Sequence, residues 1–228
     1  MSQMAHFGGH KIVDIIATNS FQMNLDPTGK DQNAHHYGNY PEVSRLNHDC
    51  RPNVAFYIDK NTLTHTSTVV RPLKAGEELT ISYLDPLKPR DERIHRANLA
   101  WGFGCTCAQC SLPEPLSAKS DERLVEIAAI EGKLSDVYNK EVSVKMLDRL
   151  AKLYKSERLD TKLASPYTLL ALNYNMLGEE KKARKYAKLA HEAVVVEHGD
   201  GTGDAVAMLE LAGNPSGHFT WRARLKMR

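Results

Sequence analysis

The chain contains four cysteines, Cys50, Cys105, Cys107 and Cys110, and three of them fall within the hexapeptide "CTCAQC". Thiols this crowded suit zinc, which takes tetrahedral sulfur ligation and, in a structural site, is closed by four protein ligands. Three ligands come from the knuckle. The remaining cysteine lies far upstream, in "RLNHDCRPNV". If Cys50 is the fourth ligand, the metal pins the later segment to the earlier loop. Four unrelated buried or free thiols are the plainer alternative, and a C-x-C-x-x-C cluster is hard to account for that way. His48 stands two residues from Cys50 as a rival ligand, although nearness alone does not make it one. The histidines of "AHHYG" read as solvent-facing loop residues rather than a second metal site.

The elements that must position these residues divide the chain in two. Residues up to about 100 read as β- and loop-rich. "KIVDIIATNSF" is an apolar segment ending in polar residues, "NVAFYID" alternates as a half-buried strand does, and "LTHTSTVVR" is a second β-branched run after a turn. "PLKAGEELTISYL" holds a glycine turn and then another strand, while "NLDPTGKDQNAHHYGNYP" reads as loop. "SLPEPLSAKSD" reads as a linker. From residue 119 the period becomes helical. Ser120 is the expected N-cap of "SDERLVEIAAIEGKL", with Leu124, Ile127, Ala128 and Ile130 at helical spacing. Farther on, Leu169, Leu172, Tyr174, Leu177, Ala183, Tyr186, Ala187 and Ala190 give two helices around a glycine turn. That spacing is like a tetratricopeptide (TPR) hairpin, and a plain helical bundle would explain it as well.

Composition narrows the function classes. With 228 residues, 42% apolar and 25% charged, the chain can bury a core of useful size. Its net charge of +2 implies no field for polyanions, and the knuckle has almost no basic residues near it, so direct nucleic-acid binding is not expected. No apolar run is long enough to span a bilayer, and the first residues lack a secretory pattern. The expected setting is intracellular, nucleus and/or cytoplasm, with reduced thiols.

Taken in order, "NHDCRPN", "GEELTISY" and "WGFGCTCAQC" resemble the SET-domain protein-lysine methyltransferases, in particular the SMYD-like branch and related fungal SET proteins. The resemblance covers about residues 10–112 strongly and the helical remainder weakly. It implies an α+β fold: a partial SET-domain β-fold (1–104), a zinc-binding post-SET knuckle (105–112) and an α-helical, TPR-like region (113–228). It implies S-adenosylmethionine and zinc as cofactors and a protein substrate, a histone or another lysine-containing protein. Carried over by motif, Asn19, Asn47, His48 and Phe103 contact the methyl donor. Tyr83 is the catalytic tyrosine and lines the lysine channel with Trp101. Cys50 joins Cys105, Cys107 and Cys110 on one zinc. The strand leading to Tyr83 passes beneath the NH-x-C segment.

The sequence departs from the family at its start. A Gly-x-Gly element that would cradle the cofactor is not found, "FGGH" being only a glycine pair, and the zinc-finger insert of SMYD proteins is missing. The expectation is therefore a C-terminal part of a SET protein, with one wall of the cofactor pocket lacking. A non-catalytic, zinc-stabilised interaction module is the competing reading. Without the family, Tyr83, Phe103 and Trp101 would read as strand and core aromatics, and Asn47 and His48 as local turn capping.

Overall fold

The computed structural model describes residues 11–25, 31 and 33–227. The chain divides into two compact units, with the break after residue 113. The glycine pair of "FGGH" lies outside the described residues.

The first unit opens with helix α1 (Lys11–Asn19), which runs directly into strand β1 (Ser20–Asn24). The helical part differs from the β-rich expectation for this stretch. Its turn is closed by side chains: Asn19 Nδ2 donates to the Ile15 carbonyl at 2.8 Å, and Ser20 Oγ to that of Ile16 at 2.6 Å. β1 pairs antiparallel with β2 (His35–Asn39), Phe21 facing Gly38 in register. β2 corrects the reading of this segment as loop. Its side chains are mostly exposed, so no apolar alternation marked it. At Gly38 a Cβ would stand 2.6 Å from Met23 Cε and 2.9 Å from the Tyr40 ring, so those side chains would have to shift to admit a larger residue.

A short 3-10 turn (Val43–Arg45) leads to β3 (Asn47–His48). β4 (Val54–Ile58) and β5 (His65–Val69) form the expected hairpin, Val54 opposite Val69. β6 (Thr80–Ile81) lies parallel to β3, with Asn47 opposite Thr80 and His48 opposite Ile81. Buried Asn53 fastens β6 in place. Its Nδ2 donates to the Glu78 carbonyl at 2.8 Å, its Oδ1 accepts from the Thr80 amide at 2.9 Å, and its own carbonyl accepts from the Val70 amide. Helix α2 (Arg90–Trp101) follows Pro89 and buries only Arg93 and Ala97. It ends at Gly102, whose φ of 71° is the left-handed conformation that glycine adopts most readily.

The second unit is helical: α3 (Glu114–Ser135), α4 (Val144–Ser156), α5 (Ala164–Met176), α6 (Glu180–His198), α7 (Gly203–Gly213) and the short α8 (Ala223–Lys226). α3 starts inside the expected linker. Pro115 falls in its first turn, where the missing N–H has no helical acceptor to lose. Ser120 is consequently not an N-cap: it lies within α3 and donates to buried Glu157 at 2.7 Å. Gly178 (φ 76°) makes the expected turn between α5 and α6. Ala171, Ala187 and Ala190 keep their interface close, and Met208 and Leu211 of α7 cover it. Arg224 of α8 is buried and closes the unit. It donates to Asn173 Oδ1 and to the carbonyls of Leu134, Asp136, Val137 and Asn139 at the end of α3. Among the described residues, no helix is long and apolar enough to cross a membrane.

Candidate functional site

The segment after α2 folds back onto the bend between β3 and β4, and this brings the four sulfurs together. The Sγ atoms of Cys50, Cys105, Cys107 and Cys110 all lie within 4.8 Å of one another. Cys50 Sγ stands 3.5 Å from Cys110 Sγ and 3.9 Å from Cys105 Sγ. None is disulfide-bonded. A tetrahedron with metal–sulfur bonds of ~2.3 Å has edges of ~3.8 Å, so these separations fit one zinc ion. Cys50, Cys105 and Cys110 are buried beside Ala97, Leu84, Ile94 and Phe103. The thiols also hydrogen-bond one another. Donation from Cys105, then Cys110, holds Cys107 far below an ordinary thiol, while Cys50 is pushed up. A dication would override that ordering, since a coordinating thiol loses its proton outright.

His48 links the sulfur cluster to a group of aromatic rings. Its Nδ1 accepts from the Tyr83 amide at 3.1 Å, which leaves the ring proton of neutral His48 on Nε2, 3.4 Å from Cys50 Sγ. Burial holds the imidazole down at about 4, so the neutral ring is the form present near pH 7. The His48 centroid lies 5.4 Å from that of Tyr83 and 5.9 Å from that of Phe103. Tyr83 also meets Phe103 edge-on and Trp101 at 5.5 Å. Four residues from three motifs thus share one aromatic patch.

On the other side of Tyr83 opens a cavity of about 460 Å³, within the range of small-ligand sites. Asn19, Tyr83 and Trp101 line it with Phe21, Phe56 and Arg96. The Tyr83 hydroxyl donates to the Leu46 carbonyl at 2.6 Å, and burial raises its proton affinity, so it stays a neutral hydroxyl. Its remaining oxygen lone pairs are acceptors. Asn19 is fixed at the helix–strand junction, its carbonyl accepting from Ser44 Oγ at 2.9 Å.

Not every candidate converges. His48 and Phe103 meet Tyr83 through their rings without lining the cavity. Asn47 is exposed, and its Nδ2 donates to Glu78 Oε1 at 2.5 Å. The structure adds three residues that sequence reasoning missed. Asn53 sits inside the quoted "NHDCRPN" and orders the chain leading to Tyr83. Arg93 lies buried beside Cys110, and Arg96, from the same helix, lines the cavity. Both arginines belong to a polar run, "RDERIHR", with no apolar periodicity to signal a buried face.

Comparison with known proteins agrees with the motifs. Residues 8–84 match the SET domain family. Human N-lysine methyltransferase SMYD2 is 32% identical over 131 residues, covering 57% of this chain and 30% of that protein. Histone-lysine N-methyltransferase set5 of Schizosaccharomyces pombe is 27% identical over 179 residues, covering 77% of this chain and 56% of that protein. A SET and MYND domain-containing protein of Dictyostelium discoideum, DDB_G0292140, is 38% identical over 79 residues, covering 35% of this chain and 15% of that protein. The chain therefore spans less than two thirds of the length of each of these relatives. The match over residues 8–84 takes in "NHDCRPN" and "GEELTISY", so this segment of the chain is similar to the SET domain.

Proposed function

We propose that this chain takes part in S-adenosylmethionine-dependent N-methylation of lysine in a protein substrate, a histone or another lysine-containing protein. The observation that carries the proposal is Tyr83, which joins an aromatic patch on one side to a cavity on the other. With its own proton given to Leu46, the Tyr83 oxygen is free to accept an N–H from a substrate amine and aim the nitrogen lone pair. Trp101 and Phe56 supply aromatic walls suited to an alkylammonium product. Because Tyr83 remains neutral, it serves as a positioning hydroxyl rather than a base. The substrate ammonium must shed its proton to water before transfer, helped by burial. When bound, S-adenosylmethionine supplies an electrophilic methyl group, and placement in line with the amine provides much of the rate. Asn19, Asn47, His48 and Phe103 are the proposed donor-binding residues. Zinc on the four cysteines is structural in this scheme, holding Phe103 against His48 and Tyr83. Residues 1–104 and 105–112 form the SET and post-SET parts. The region 113–228, with a TPR-like α5–α6 hairpin, recruits protein partners.

One observation favours a second reading, a non-catalytic zinc-stabilised interaction module: the amide of Asn47 is taken by Glu78 instead of facing the cavity. Calorimetry with S-adenosylmethionine and transfer of labelled methyl groups to histones separate the two. The enzymatic proposal expects micromolar binding, and about a hundredfold loss of transfer in Tyr83→Phe with binding retained. Absence of transfer even by a longer version carrying this segment would leave only the interaction module.

A further inference from the structure

Arg93 has the surroundings of a buried ion without a carboxylate. It is 1% exposed and is among the largest fully buried side chains. One Nη donates to the Lys88 carbonyl, the other points at Cys110 Sγ from 4.0 Å, and Nε is buried with no hydrogen-bond partner. Among the described residues, no Asp or Glu forms an ion pair with it. An unpaired buried cation is strongly unfavourable. The nearest source of negative charge is the sulfur cluster. Four thiolates around one dication carry a net charge of about −2, and burying that dianion is costly in turn.

We propose that Arg93 is the charge partner of the four-cysteine metal centre and sets how firmly the ion is held. Its position on α2 follows from sequence: Arg93 and Ala97, four residues apart, form the buried face of that helix, and Ala97 packs directly on the cysteines. Removing half of the excess charge favours the fully deprotonated, metal-bound state and disfavours metal loss. The proposal rests on the zinc reading above and extends it to a residue outside the knuckle.

Metal exchange tests it directly. The zinc-loaded chain and its Arg93→Met variant are mixed with a chromogenic chelator, and each is also prepared with cobalt for its sulfur-to-metal charge-transfer band. The expected result is equal stoichiometry, release about tenfold or more faster from the variant, and a shifted band. A release rate and band equal to those of the unaltered chain, with only a lower melting temperature, would overturn the proposal and reduce Arg93 to a brace for the Lys88 carbonyl. Should Arg93→Met fail to fold, Arg93→Gln decides by the same criteria: faster release supports the charge role, unchanged release overturns it. If the unaltered chain binds neither metal, the zinc reading itself fails, an outcome distinct from a metal site indifferent to Arg93.

Discussion

Asn53 shows how much a single buried amide can hold. Both ends of its side chain are satisfied by backbone of the segment that carries Tyr83, through the Glu78 carbonyl and the Thr80 amide. Replacement by alanine leaves a buried donor and a buried acceptor without partners, at a cost of about 2 kcal/mol. Asn53→Ala is expected to lower the urea midpoint of the first unit and to reduce any Tyr83-dependent transfer in parallel, because β6 loses its anchor. Asn53→Asp should be no better, since a carboxylate cannot donate to Glu78. A normal midpoint in both variants would refute this account. At this scale the sequence is informative where residue type is chemically unusual. Cysteines gathered at short spacing read as a metal centre, and the structure brings all four together. Tyr83 and Trp101 needed the family motifs, for each alone is an ordinary aromatic. Asn53 and Arg93 carry no such mark, since a polar residue says nothing of its own burial until the fold closes around it.

Among the elements, those with a strong period were legible and those held by tertiary contacts were not. β4 and β5 alternate, and α4 to α6 carry apolar residues at helical spacing. β2 and α2 have almost no apolar face; the first is selected by pairing with β1, the second by its packing on the cysteines. Helix α5 shows another tertiary device. Its first amides, Leu163 and Ala164, donate to Glu197 Oε1 of α6 at 2.6 and 2.7 Å, so a neighbouring helix supplies the cap. Burial nevertheless outweighs these bonds and raises the Glu197 pKa above the ordinary glutamate range. A raised carboxyl binds its proton more readily folded than unfolded. Its favourable contribution is complete below the unfolded value and is lost as pH climbs through the folded one. Glu197→Gln, which keeps an acceptor and never ionises, removes that dependence. The stability of the glutamine variant relative to the unaltered protein should therefore fall as pH drops from 7 to 5, as read by urea denaturation. A difference independent of pH would show that Glu197 does not titrate in this window.

For the molecule as a whole, the two units rest on different physics. The second has an aliphatic core running through α3 to α7, and Arg224 ties its last turn to the end of α3 across some ninety residues, with the closest such pairing to the Asn139 carbonyl at 2.8 Å. The first has strand pairs of only two and five residues, and its buried cluster around Cys50 is largely sulfur. Short ladders of this kind are marginal by themselves, and a structural metal contributes folding free energy to small units outright. Zinc removal should therefore unfold one unit and spare the other. After treatment with a strong chelator, near-ultraviolet circular dichroism from the Tyr83, Trp101 and Phe103 patch should collapse, while most of the far-ultraviolet helical signal persists. Limited proteolysis of the chelated protein should then cut within residues 11–113 and leave a resistant fragment starting near Glu114. Re-addition of zinc should restore protection in the unaltered chain but not in Cys50→Ser, which lacks the ligand joining the knuckle to the β3–β4 bend. Equal protection of both units with and without metal would mean that the sulfur cluster packs as an apolar core and the ion is dispensable to the fold.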